Sequence, residues 1–112
     1  MKVNELREAL DLTVAVEGDL DREVKGGYVC DLLSLVMARL KEGHVWITVQ
    51  TNVNVVAVAA LAECACVLIP EGMSVEQATL DKARGQGVTI LQSQGSAFEL
   101  AAAMAKRLEA KA

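Results

Sequence analysis

Apolar positions recur along this chain with two alternating periods. Val29, Leu32, Leu33, Val36, Met37 and Leu40 fall at i, i+3, i+4, i+7, i+8 and i+11, a stripe that predicts an amphipathic helix. Arg39 and Lys41 stand in its last turn, where the macrodipole favours cations, and Gly43 can stop it. Ahead of it, Asn4 is a good N-cap for a short helix carrying Leu6, Ala9 and Leu10 on one face. Leu12 to Val16 has the length and content of a strand, and Gly18-Asp19 signals a turn. Arg22 to Lys25 reads as a short edge strand before a Gly26-Gly27 turn.

After the main helix, Val45 to Gln50 reads as a strand with a β-branched centre. Residues 52–62 carry the run Val55-Val56-Ala57-Val58-Ala59-Ala60, which suits a strand or a buried helix. Their length and the Thr51/Asn52 cap signal favour helix. Ala65 to Ile69 is a buried-strand run closed by Pro70 and Gly72. Ser74-Val75-Glu76-Gln77 and Ser96-Ala97-Phe98-Glu99 have capping-box spacing and open two more helices. Between those boxes, Gly85 and Gly87 end a helix and Val88 to Leu91 forms a strand. Leu100, Ala101, Met104, Ala105 and Leu108 then give the last helix its buried face. Strands alternating with helices predict an α/β fold, a mainly parallel sheet of four to five strands with helices on both faces.

Composition sharpens this picture. A length of 112 residues fits one domain, residues 1–112, with no linker or repeat inside it. The core must be built from small and branched side chains, since 17 Ala, 15 Val and 14 Leu stand against one Phe, one Trp and one Tyr. A net charge of −4 leaves no basic footprint for nucleic acid or an anionic membrane. The longest apolar run, Val55 to Ala62, is far short of the ~20 residues that span a bilayer. A charged N-terminus and three cysteines without disulfide spacing point to the cytoplasm.

In open parallel sheets ligands gather beyond the carboxyl ends of the strands. Two such ends are rich in neutral polar groups. One holds Thr48, Gln50, Thr51, Asn52 and Asn54; the other holds Gln92, Ser93, Gln94, Gly95 and Ser96. Thr48 and Gln50 are two apart on a strand and so share a face. These side chains donate and accept hydrogen bonds but shuttle no proton near neutral pH, which is the chemistry of recognition. The competing account is that Thr51, Asn52 and Ser96 only cap helices. Gly26-Gly27 would let the backbone approach an anion, with Arg22 and Lys25 adding charge; alternatively the glycines form a turn, and Asp21-Arg22 is a local ion pair.

No catalytic or metal constellation assembles. Cys64 and Cys66 are two apart within an apolar run and read as buried, inert thiols that face one way, not as zinc ligands. His44 has no triad partner nearby, and Trp46 reads as core or as a subunit contact. An enzyme acting on phosphorylated substrates would need an acid, base or metal that the chain does not assemble, and a divalent-metal site bridging Asp19, Asp21 and Asp31 would revive that reading.

The stretch from Asp21-Arg22 through Gly26-Gly27 to Ser34 resembles the stand-alone DRTGG-domain family. So do residues 45–51, Asn54 to Ala59, and Ser96 to Ala101. Here Asp21-Arg22 and Gly26-Gly27 stand three residues apart, against one in the name-giving pattern. The resemblance implies a small α/β module, usually homodimeric, that regulates or dimerises larger enzymes. It also brings a label as similar to HPr serine kinase and an association with iron-hydrogenase components. The kinase label has no support in the residues, because a phosphate-binding Gly-x-x-x-x-Gly-Lys-Ser/Thr segment is absent from the chain. The expectation is therefore a non-catalytic homodimeric module without a cofactor. It either binds a small nucleotide-like ligand through residues such as Arg22, Gly26, Gly27, Thr48 and Ser93, or acts as a ligand-free subunit of a redox assembly.

Overall fold

A computed structural model describes residues 1–111. Its elements run α1 (Val3–Ala9), β1 (Thr13–Val16), β2 (Gly26–Val29), α2 (Leu33–Arg39), β3 (His44–Ile47), α3 (Asn54–Ala62), β4 (Cys66–Ile69), α4 (Gln77–Gln86), β5 (Ile90–Gln92) and α5 (Ala97–Lys111). They form the expected α/β architecture. The sheet has the order β1-β5-β4-β3-β2; β2 to β5 are parallel, and β1 lies antiparallel on β5.

Two apolar layers sandwich the sheet, and side-chain alternation in the strands sorts them. Trp46, Val67, Ile69 and Ile90 face one layer with Val36 of α2, Val55, Val56 and Ala59 of α3, and Ala83 of α4. Val45, Ile47, Cys66, Leu68 and Leu91 face the other, with Val3 and Leu6 of α1 and Leu100 and Met104 of α5. The three crossovers from β2 to β5 advance in one direction across the sheet and place α2, α3 and α4 on one face, as connections of a single hand require. The chain then leaves β5 for the opposite face. That reversal decides where the site lies.

Several expected elements move. Helix α1 starts before Asn4: Lys2 is its N-cap, and the Glu5 carboxylate accepts the Lys2 N–H at 2.9 Å. Residues 22–25 form no edge strand, because their backbone pairs with the N-terminal segment. Val3 N–H donates to Arg22 O at 2.9 Å and Val24 N–H to Met1 O at 2.8 Å. The edge strand is instead Gly26–Val29, so the glycine pair lies within β2 and makes no turn.

That strand shortens the helix behind it. Val29 joins β2, and α2 covers only Leu33–Arg39. Of the apolar stripe, Val36 and Leu40 are buried, while Leu32 and Met37 stay 63% and 60% exposed. Strand β3 ends at Ile47, earlier than Gln50, and residues 54–62 are helical. The Ser74 box is not made, since Glu76 is the N-cap of α4. The Ser96 box is made: Glu99 N–H donates to Ser96 Oγ and Ser96 N–H to a Glu99 carboxylate oxygen, each at 3.1 Å. Gly87, at φ +69°, ends α4, and Gly85 lies inside it.

Candidate functional site

The expected site residues fall at opposite ends of the sheet. Arg22, Gly26 and Gly27 lie at the amino end of the parallel strands, where Gly26 and Gly27 pair with His44 and Val45. A β-carbon on Gly27 would overlap the terminal methyl of Met104, so α5 sits directly on the strand and fills the space where an anion was expected. Arg22 does not pair with Asp21. Its guanidinium donates to Glu63 O at 2.7 Å and to the Glu42 carboxylate at 3.1 Å. Lys25 meets the same Glu42 at 2.6 Å, and these two cations hold the Glu42 carboxyl below its ordinary pKa, Lys25 most strongly. Asp19 is beside Arg22 at this end, and Asp31 is at the other, so the three aspartates do not converge.

At the carboxyl end, Thr48, Gln50, Thr51, Asn52 and Asn54 gather as expected, but around a residue the sequence reading assigned to a helix. Asp31 precedes α2, and its Oδ1 accepts the Thr48 hydroxyl at 2.8 Å and the Val49 N–H at 2.9 Å. Thr48 and Gln50 share no strand face; the chain bends after Ile47 so that Gln50 N–H donates to Thr48 Oγ1 at 3.1 Å. The chain of bonds continues. Gln50 Nε2 donates to Asp31 O at 2.9 Å, Asn52 Nδ2 to Gln50 Oε1 at 3.0 Å, and Asn54 N–H to Asn52 Oδ1 at 2.9 Å. Thr51 O accepts the Thr79 hydroxyl at 2.8 Å. This cluster satisfies itself and anchors the start of α3, so the capping account describes it well.

The other polar end is open. The segment after β4 leads to α4 on one face, and the segment after β5 leads to α5 on the other, so adjacent strands send their chains apart and leave a crevice between them. A cavity of about 370 Å³ lies there, lined by Asp11, Thr13, Gly72, Met73, Gln92, Ser93 and Gln94. Its walls are tied together. Ser93 N–H donates to Ile69 O at 3.0 Å, Gly72 N–H to Ser93 O at 2.9 Å, Glu71 N–H to Gly95 O at 2.8 Å, and Gln92 Nε2 to Met73 O at 3.2 Å. Asp11, Glu71 and Gly72 around it hold φ of +53°, +63° and +64°. Such left-handed backbone is sparsely populated outside glycine and is held in place by the surrounding bonds.

Of the expected residues Ser93 lines this cavity, together with Gln92 and Gln94 of the same polar run; Ser96 lies beyond it, capping α5. Asp11, Thr13, Gly72 and Met73 were missed. The antiparallel pairing of Thr13 with Gln92 brings the first two in, and no local pattern carries that long-range register.

The remaining reactive side chains are structural. Burial pushes the Cys64 thiol up to about 12 and Cys66 higher still. The two do not face one way: Cys64 joins the α2–α4 layer and Cys66 the α1/α5 layer, because the strand begins only at Cys66. Trp46 is fully buried and its Nε1–H donates to Cys30 O at 2.9 Å, which makes it core. Burial lowers the His44 pKa, with Lys41 adding to the effect. Among the described residues no group of three or more His, Cys, Asp or Glu is placed to hold a metal ion. No described helix is long and apolar enough to cross a membrane.

A family model for the DRTGG domain matches residues 5–107. A comparison with curated protein sequences finds no match. Among solved structures, the fold is similar to the CBS and DRTGG domains of the regulatory region of Clostridium perfringens pyrophosphatase, complexed with its activator diadenosine tetraphosphate. The TM-score is 0.72 at 11% identity, over 88% of this chain and 44% of that one. The chain therefore spans less than half the length of that regulatory region.

Proposed function

Since this chain belongs to the DRTGG-domain family, we propose that it is a non-catalytic regulatory module of the cytoplasm that binds a small nucleotide-like ligand and acts on a partner. One observation carries the reading: the crevice beyond β4 and β5 is lined by hydroxyls, amides and a single carboxylate. Those groups recognise a ligand; an acid–base pair is not among them. The pyrophosphatase regulatory region that shares the fold is complexed with a dinucleotide activator, which supports a nucleotide-like ligand.

Thermal unfolding against adenine and guanine nucleotides, cyclic dinucleotides and acetyl phosphate tests this. A ligand that binds the folded state stabilises it by RT ln(1 + [L]/Kd), about 2.7 kcal/mol at 100 times Kd. The expected result is a saturable shift that Ser93→Ala diminishes and His44→Ala, at the other end of β3, retains. No shift with any compound would refute the reading.

A specific observation favours a second reading, a protein-interaction subunit. Helices α2 and α3 carry one charged side chain between them, Arg39. Leu32, Met37 and Leu61 are 63%, 60% and 76% exposed on and beside them, where Leu33, Met37, Ala57, Val58 and Leu61, with Asn54, line a shallow and mostly apolar groove. An exposed apolar face of this kind marks an interaction surface. A second copy of the chain fits it without charge repulsion, and a component of a redox or hydrogenase-related assembly is the other occupant. Sedimentation that gives a dimer, converted to monomer by Leu61→Glu with the fold retained, supports the second copy. A monomer at all concentrations refutes it.

A further inference from the structure

We infer that the β4/β5 crevice takes the uncharged, hydroxyl-bearing part of the ligand, a vicinal diol such as that of ribose, and leaves any phosphate outside. The inference rests on the ligand-binding reading above and specifies its chemistry.

Charge is the first argument. Asp11 is the one ionic side chain among the residues lining the cavity, and no lysine or arginine joins it. A carboxylate repels phosphate and accepts hydrogen bonds without donating any, so it selects a ligand rich in O–H or N–H groups. Two adjacent hydroxyls match its two oxygens, the same pairing by which an acidic side chain reads a ribose in doubly wound folds.

Availability is the second. In contrast to the closed cluster at Asp31, no hydrogen bond to another described residue engages the Asp11 carboxylate, the Thr13 hydroxyl or the Gln94 amide. Ser93 Oγ accepts the Gly95 N–H at 3.0 Å, which leaves its own proton to donate. Gln92 spends its Nε2 on Met73 O and keeps its carbonyl oxygen as an acceptor. A volume of about 370 Å³ lies in the range of small-molecule sites.

The third is that two groups able to hold a phosphate, the N-terminus of α5 and Arg22, are already engaged. The N-terminus of α5, the next element after the crevice, already holds the Glu99 carboxylate on Ser96 N–H. That contact and the Ser96 hydroxyl keep the Glu99 carboxyl below its ordinary range, so it stays an anion there. Arg22 is at the far end of the sheet and engaged by Glu42.

The test is binding, by calorimetry and thermal shift, of the four common ribonucleosides, their 5′-triphosphates, their 2′,3′-dideoxy counterparts and methyl ribofuranoside, to the full chain and to Asp11→Asn. Asparagine keeps the shape and tolerates the left-handed backbone, so the variant removes charge and not the fold. At least one ribonucleoside is expected to bind as tightly as its triphosphate or tighter, its dideoxy form to lose binding, and Asp11→Asn to weaken it tenfold or more. Methyl ribofuranoside binding shows that the diol suffices; its failure beside a bound nucleoside shows that the base contributes too, and either supports the assignment. Binding of triphosphates with nucleosides silent, or unaltered by Asp11→Asn, overturns the inference while the regulatory reading stands. Silence from every compound here and in the nucleotide panel overturns both.

Discussion

Replacing Asp31 by alanine tests whether the Thr48–Asn54 cluster is scaffold. The carboxylate accepts two hydrogen bonds, from a hydroxyl on a side chain 1% exposed and from the Val49 N–H on an exposed residue. Water replaces the lost acceptor at Val49 with little penalty. It does not reach Thr48 as easily, and a buried hydroxyl left without an acceptor for its proton costs about 1–3 kcal/mol, though its oxygen still accepts the Gln50 N–H. The expected loss is therefore about 2 kcal/mol. With an unfolding entropy of about 2.1 cal/mol/K per residue, that corresponds to a Tm lower by about 8 °C for a chain of this length. Urea unfolding with an unchanged m-value measures it. In a Thr48→Val background the buried hydroxyl is already gone, and Asp31→Ala should then cost about 1 kcal/mol less or better. Two results would defeat the reasoning: a loss within about 0.5 kcal/mol, the size typical of any surface change, or a loss identical in both backgrounds.

The buried thiols make two further expectations. In the folded protein Ellman's reagent should modify Cys30 alone, with Cys64 and Cys66 reacting only on unfolding. Because burial raises the folded Cys64 value to about 12 from an unfolded value near 9, its stabilising contribution is complete below pH 9 and declines as pH rises from there toward 12. Chemical denaturation between pH 8 and 11 should show that decline, reduced in Cys64→Ala; a flat profile would contradict the burial argument. At α5, Ser96→Ala should lower stability by about 0.5–2 kcal/mol, measured in urea. The folded Glu99 carboxyl is depressed, so its contribution is present above the ordinary carboxylate range near 4.5 and fades as pH falls through the lower folded value. Ser96→Ala should flatten that acid limb.

Central strands were legible because burial on both faces leaves continuous apolar runs, as in Val45 to Ile47 and Cys66 to Ile69. The last helix was legible because the Ser96 box is a local bond pattern that survives in three dimensions. The stripe from Val29 to Leu40 misled for a physical reason. Helical spacing records where apolar side chains would align, but Gly26–Val29 gains a parallel partner in β3, and the β-branched Val29 suits that strand. Of the rest of that stripe, Val36 and Leu40 stay in the core while Leu32 and Met37 emerge at the surface. Ser74 failed as a cap because residues 73–76 are not yet helical: Met73 O is engaged by Gln92, and the extended Glu76 caps α4 in its place.

The two polar ends of the sheet differ for one topological reason. Next to β3, the outgoing chains of β2 and β3 both turn to the same face, so Asp31 and residues 48–54 meet and close on one another. Next to β5, the outgoing chains part, and antiparallel β1 brings Asp11 and Thr13 into the gap. Both stretches have similar neutral polar composition, so composition could not tell the closed one from the open one. A molecule seated in the open one would bear at once on the segments leading to α4 and α5, which pack on opposite faces of the sheet. A regulatory ligand acts only through such differential contact: it shifts a conformational balance by the difference in its affinity for the two arrangements. A crevice walled by segments from both layers is suited to register their relative position, whereas the Asp31 cluster, bonded within itself, is suited to hold one arrangement still.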